Sequence, residues 1–312
     1  MQKIVVLDAK TLGEDLSLDV LNQFGEVTIH QTTSPEQTLE RIQTAQIIIT
    51  NKVVINAQMM EESPNLKLIC IAATGMNNVD LAAAKTMGIE VKNVAGYSTA
   101  SVVQHTFAMA LYLLEKMAYY DHAVKSGAWS ASGLFTDISR PFYEIKGKQW
   151  GIIGLGAIGQ EVAKVATVFG ANVTYHSTSG QNLQSHYPHL SLEELLSSSD
   201  IISVHAPLNE RTQNLINVDN LKLLKEGSIL LNLGRGGIIN ESDLAKELNE
   251  RSIYAGLDVV AKEPIETANP LMHVEASERL LVTPHIAWTS KEARIKLLEG
   301  IVENIQVFLH KN

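Results

Sequence analysis

Eleven short apolar runs, separated by stretches with helical patterning, constrain this chain more than any other feature. KIVVLD, VTIH, QIIIT, LKLICIA and GIEVKN come before residue 98; KQWGIIGLG, ANVTYHS, DIISVHA, SILLNLG, AGLDVV and RLLVTP come after residue 148. The runs are continuously apolar instead of alternating, as a parallel strand covered on both faces requires. Helical segments between them point to repeated βαβ units, and hence to an α/β fold of two doubly wound parallel sheets. A length of 312 residues agrees, since it exceeds what one compact core usually supports.

Between the two sets of runs, residues 98–118 carry no charge until Glu115. The apolar stretch TFAMALYLL, bounded by Gln104 and His105 before and Glu115 and Lys116 after, is shorter than the ~20 residues needed to cross a bilayer. It reads as a buried helix. Residues 119–147 include SGAWSASGLFTDISRPFYEIKGK, a loop-rich excursion with Gly, Ser, Pro and aromatics. The segment 290–312 reads as an amphipathic helix with Ile295, Leu298, Ile301, Val302, Ile305 and Phe308 on one side. A net charge of −9 lacks the basic footprint that binding a phosphate backbone needs, so no nucleic-acid partner is expected. An anionic small substrate remains compatible, because one local Arg can dominate a closed site. The lone Cys70, inside LKLICIA, permits no intrachain disulfide and reads as a core residue of a protein of the reducing cytoplasm. The start, MQKIVVLDAK, has too short an apolar stretch before Asp8 for a signal peptide.

The sharpest local motif is WGIIGLGAIGQEVA, which places Gly154, Gly156, Ala157, Ile158 and Gly159 between an apolar strand and a helical pattern. Gly154 permits a tight turn, Gly156 lets the backbone approach a pyrophosphate, and Gly159 lets helix and strand pack closely. The helix N-terminus then offers unpaired N–H groups to the phosphates. A dinucleotide site is expected. About twenty residues on, an NAD site usually presents an acid to the ribose 2′-OH. Ser177 stands there, followed by Thr178 and Ser179, with no acid, Arg or Lys beside them. The expected cofactor is NAD, with NADP possible, and a preference for NADH within about one order of magnitude.

Three polar residues follow strand runs of the second set. Arg235 lies in the turn GRGG, Glu263 in AKEP and His285 in TPHIAW. Taken singly, each has an ordinary reading as a surface charge, a loop acid and a packed or capping side chain. Together they supply what reduction of a keto acid demands. Hydride addition to C2 leaves negative charge on oxygen, which needs a proton and positive potential. His285 is the candidate acid/base, Glu263 favours its imidazolium and orients the ring, and Arg235 binds the carboxylate and polarises the carbonyl. No metal site is assigned.

The motifs GLGAIG, HAPLNERTQNLIN, NLGRGG, GLDVVAKEP and TPHIAW, in this order, resemble the D-isomer-specific 2-hydroxyacid dehydrogenases. ATGMNNVDLAAAKTMGI, NVAGYSTASVVQHTFAMAL and TPHIAW are most similar to the glycerate dehydrogenases, or hydroxypyruvate reductases, within that family. The resemblance implies a Rossmann cofactor domain, residues 99–286, inserted into a flavodoxin-like substrate domain of residues 1–98 and 287–312. It assigns Arg235, Glu263 and His285 the roles argued above. It also implies that Asp258 bonds the nicotinamide carboxamide, that Thr99 lies near the nicotinamide and Pro207 near the adenine, and that the backbone at Gly75 and Met76 holds the substrate carboxylate. His105 reads as structural; Trp288 reads equally as a pocket wall or as packing. The implied reaction interconverts hydroxypyruvate and D-glycerate, or glyoxylate and glycolate, in a cytoplasmic homodimer with no membrane partner. Phosphite dehydrogenases share the scaffold and a similar triad, formate dehydrogenases carry Gln in place of Glu263, and the C-terminal-binding-protein corepressors keep the triad in a nicotinamide-sensing role.

Overall fold

The computed structural model describes residues 2–181 and 186–311; Met1 and Asn312, the two ends of the expected substrate domain, lie outside them. The chain divides into two compact units, one of Met1–Ser98 with Thr289–Asn312 and one of Thr99–Trp288.

Strands β1 (Gln2–Val6), β2 (Gly25–Ile29), β3 (Ile47–Thr50), β4 (Leu68–Ile71) and β5 (Glu90–Lys92) belong to the first unit. They pair in the order β2-β1-β3-β4-β5, all parallel. Every position of β3 and β4 is buried, whereas the edge strands β2 and β5 are largely open. This is why the inner runs are apolar at consecutive positions: each inner strand is covered on both faces. Asn56 and Asp80 start the short helices Ala57–Glu61 and Leu81–Thr86 by accepting the amides of Met59 and Ala83, each at 2.9 Å. The helix Lys291–Lys311 packs on β4 through Ala293, Leu297, Leu298, Ile301, Ile305 and Phe308. Ile295, expected on that face, is exposed. It sits two residues from both Ala293 and Leu297, which places it ~200° around the helix from each.

In the second unit, β6 (Gln149–Ile153), β7 (Asn172–His176), β8 (Ile201–Val204), β9 (Ile229–Asn232), β10 (Tyr254–Leu257) and β11 (Leu280–Val282) form one parallel sheet. The order is β11-β10-β9-β8-β6-β7, and a parallel bridge from Tyr175 to His189 extends it beyond β7. Strand order therefore reverses at β6, the switch point where open α/β sheets bind ligands. Alternate strand residues feed opposite cores. Trp150, Ile152, Ile229 and Leu231 face one, while Ile153, Ile202, Val204 and Leu230 face the other. The helix Thr99–Leu114 closes the first of these cores through Val102, Val103, Phe107, Met109, Ala110, Leu113 and Leu114. Its uncharged sequence is thus used largely inside its own unit. The apolar side chains left open come afterwards, with Leu134, Phe135 and Ile138 between 68% and 91% exposed.

Candidate active site

At the end of β6 the glycine turn takes the form its spacing demands. Gly154 adopts φ +92°, and a Cβ there would stand 2.9 Å from the Ala206 amide nitrogen. A Cβ on Gly159 would overlap the Gly154 carbonyl, so the helix Ala157–Val168 rests directly on the turn. Nothing lies within 4 Å of the position a Gly156 Cβ would take. That residue caps the helix without a side-chain bond, which leaves the first helical N–H groups, Ala157 and Ile158 included, for an anion.

The turn opens onto a cavity of about 700 Å³. Gly154, Leu155 and Gly156 line it after β6, Ser177, Thr178 and Ser179 after β7, and His205, Pro207, Asn209, Glu210 and Arg211 after β8. Neither ring nitrogen of His205 has a hydrogen-bond partner among the described residues, although both are buried. Burial pushes this imidazole down to about 3. An open phosphate cradle and orphaned buried nitrogens on one wall fit a polar ligand of dinucleotide kind. Arg211 changes the reading of the ribose end. Its Nη1 donates to the Ser179 carbonyl at 3.1 Å, so a guanidinium stands beside the hydroxyl cluster that has no basic neighbour in sequence. The expected modest preference for NADH rested on the lack of such a group.

The other expected residues gather at the ends of three adjacent strands. Leu257 pairs with both Asn232 and Val282, so β9, β10 and β11 leave the sheet at one level. Beyond that level come Arg235, Glu263 and His285. His285 Nδ1 and Glu263 Oε2 are 2.7 Å apart. With Nδ1 held by a carboxylate, the ring is oriented and Nε2 is the nitrogen left for proton transfer. The Val260 amide donates to Glu263 Oε1 at 3.3 Å. Asn232, which sequence reasoning did not single out, shapes the Arg235 turn. Its Nδ2 donates to the Arg235 carbonyl at 2.9 Å and its Oδ1 accepts the Gly234 amide at 3.1 Å. The Arg235 guanidinium donates to the Gly234 carbonyl at 2.8 Å and has no carboxylate partner among the described residues. It is a cation without a counterion.

His285 itself has φ +53°, a left-handed backbone that costs a non-glycine residue of order 1–3 kcal/mol unless its surroundings fix it. Asp258, 1% exposed at the end of β10, does the fixing. Its Oδ1 accepts Thr283 Oγ1 at 2.7 Å and the Ile286 amide at 2.8 Å; its Oδ2 accepts the Ala287 amide at 2.9 Å. Its own carbonyl accepts the His285 amide at 2.9 Å. His105 lies beneath, with Nε2 3.1 Å from Thr283 Oγ1 and 3.6 Å from Asp258 Oδ1. Thr99 begins the same helix, and Trp288 packs on the core closed by it. In the first unit, Gly75 and Met76 lie in the loop after β4, where the Met76 side chain packs on that unit's core.

Comparison with known proteins agrees with this geometry. Residues 107–287, more than half of the chain, match the family model for the NAD-binding domain of D-isomer-specific 2-hydroxyacid dehydrogenases. A hydroxypyruvate reductase of Blautia hydrogenotrophica is 38% identical over 98% of this chain and 97% of its own length. A glycerate dehydrogenase of Methylorubrum extorquens is 37% identical, covering 99% of this chain and 96% of the relative. Among solved structures, D-lactate dehydrogenase from Aquifex aeolicus, complexed with NAD and lactic acid, superposes with a TM-score of 0.85 at 25% identity, over 99% of this chain and 96% of that one. No helix among the described residues is long and apolar enough to cross a membrane. A glycine turn built for a dinucleotide and full-length relatives that share one chemistry lead to the same conclusion: the chain belongs to the D-isomer-specific 2-hydroxyacid dehydrogenases and takes a nicotinamide dinucleotide as cofactor.

Proposed function

We propose that this D-2-hydroxyacid dehydrogenase reduces hydroxypyruvate to D-glycerate and glyoxylate to glycolate. The observation that carries the chemistry is the 2.7 Å contact between His285 and Glu263 on a strand edge that also bears an unpaired Arg235. The choice of substrate draws on relatives named for hydroxypyruvate and glycerate. The cofactor, when bound, supplies the hydride. Glu263 holds Nδ1 of His285, and Nε2 delivers a proton to the carbonyl oxygen as its carbon is reduced. Arg235 binds the substrate carboxylate and stabilises the growing charge on that oxygen. Gly75 and Met76 are proposed to add backbone amides to carboxylate binding. Gly154, Gly156, Ala157, Ile158 and Gly159 hold the pyrophosphate, Ser177 and Pro207 the adenosine end, and Thr99 and Asp258 the nicotinamide end. We further propose a cytoplasmic homodimer, in which the exposed Leu134, Phe135 and Ile138 are covered by a second copy.

The test is a set of steady-state rates with hydroxypyruvate, glyoxylate, pyruvate and a bulkier keto acid, and with phosphite in the oxidative direction. The highest kcat/KM is expected for hydroxypyruvate or glyoxylate. A preference for phosphite, or cofactor binding without turnover of any acid, would overturn the proposal in favour of a phosphite dehydrogenase or a nicotinamide-sensing binding protein.

A further inference from the structure

The cavity wall after β7 carries the groups that decide between a ribose hydroxyl and a ribose phosphate. Ser177 spends its hydroxyl hydrogen on the Gln181 carbonyl at 2.6 Å. Ser179 Oγ accepts the Gln181 amide at 3.2 Å and so keeps its own hydrogen to donate. The Thr178 hydroxyl has no partner among the described residues. No carboxylate stands on residues 177–179 to repel a phosphate.

Opposite them, the loop after β8 is pinned by its own side chains. Buried Thr212 donates to the Pro207 carbonyl at 2.6 Å and accepts the Asn209 amide at 2.8 Å, while Asn209 Oδ1 accepts the Arg211 amide at 2.9 Å. Arg211 therefore projects from a fixed backbone. One guanidinium N–H goes to the Ser179 carbonyl at 3.1 Å, and no carboxylate pairs with this cation among the described residues. A guanidinium carries five N–H donors in a planar fork, so several remain for an oxyanion.

We propose that Thr178, Ser179 and Arg211 form a seat for a phosphate on the 2′ position of the cofactor's adenosine ribose, so that this chain holds NADPH more tightly than NADH. The proposal rests on the reading of this cavity as the dinucleotide site. A 2′-phosphate with close to two negative charges needs donors and a countercharge, and the wall supplies two hydroxyl hydrogens and one guanidinium. Glu210, on the same wall, opposes part of this attraction.

Calorimetric titration of the whole chain with adenosine 2′,5′-bisphosphate and with 5′-AMP reads the seat without catalysis, since the two differ only in the 2′-phosphate. The bisphosphate is expected to bind roughly tenfold tighter or more, as for a charge-assisted contact. Arg211→Gln should bring it to the level of 5′-AMP while leaving 5′-AMP unchanged, and Arg211→Lys should retain part of the difference. Equal or tighter binding of 5′-AMP by the wild type would overturn the proposal, as would an Arg211→Gln protein that loses affinity for both nucleotides alike. Failure of either nucleotide to bind would remove the cavity's assignment as the dinucleotide site, and the proposal with it.

Discussion

Replacing Asp258 by Asn separates two roles that one buried carboxylate can have. Three donors converge on it: the Thr283 hydroxyl and the Ile286 amide on one oxygen, and the Ala287 amide on the other. Asn keeps a single acceptor oxygen. If that oxygen stays with Thr283 and Ile286, an NH₂ group faces the Ala287 N–H. One charge-assisted bond is then lost in a site 1% exposed, a cost of about 1.5–3 kcal/mol. If residues 283–287 shift to escape the opposed donors, His285 moves with them, and a displacement near 1 Å is enough to lower turnover about 100-fold. The expected result is a fall in unfolding free energy of about 1.5–3 kcal/mol and in kcat of about 10–100-fold, with cofactor affinity little changed. Urea unfolding, steady-state kinetics and quenching of tryptophan fluorescence by the dinucleotide measure the three quantities. Wild-type stability and kcat with a weakened cofactor would refute the reasoning and give Asp258 the carboxamide contact alone.

Glu263→Gln removes the carboxylate that orients His285 and should lower kcat by about 10–100-fold, the value of a hydrogen bond to a charged group; unchanged turnover would detach Glu263 from the acid/base. Arg235→Ala should raise KM for the keto acid and lower kcat together, because binding and carbonyl polarisation share one side chain; an unchanged KM would contradict the assignment. His205, buried and held near 3, titrates near its ordinary value of 6.5 once unfolded. Between these values the unfolded chain binds a proton that the folded chain does not, so stability falls as pH drops through the window, by up to about 1.4 kcal/mol per pH unit. His205→Phe should make urea unfolding at pH 5 and pH 7 more alike; an identical loss in both proteins would show that His205 is not the group responsible. Burial pushes the Cys70 thiol up to about 12, so a chromogenic disulfide reagent should react with it only as the chain unfolds; rapid labelling of the native protein would contradict its place inside β4.

The strands were legible because a parallel strand needs apolar side chains on both faces, and each apolar run supplies one. The glycine turn was legible for a related reason: Gly154 and Gly159 stand where a Cβ meets backbone, a demand written in the spacing itself. Less visible was whatever depends on elements meeting in space. Arg211 bonds a carbonyl 32 residues away, so no local window beside Ser177 contains it. The Asp258 carboxylate reaches the amides on either side of a left-handed His285, a placement that composition and periodicity do not encode. Asn232 reads as the last residue of an apolar strand, and its grip on the Arg235 turn appears only once the chain folds back. The uncharged helix from Thr99 suggested a surface for a second subunit, yet its apolar face is filled by the core of its own unit. The exposed apolar groups lie in the loop beyond, whose Gly, Ser and Pro content had marked it only as irregular.

The central claim is that His285 delivers the proton. The direct measurement compares the wild type with His285→Ala in steady-state reduction of hydroxypyruvate, with dinucleotide affinity measured on the same preparations. The account predicts a fall in kcat of roughly 10²–10⁴-fold with cofactor affinity barely changed. A variant that turns over hydroxypyruvate at near the wild-type rate would contradict it.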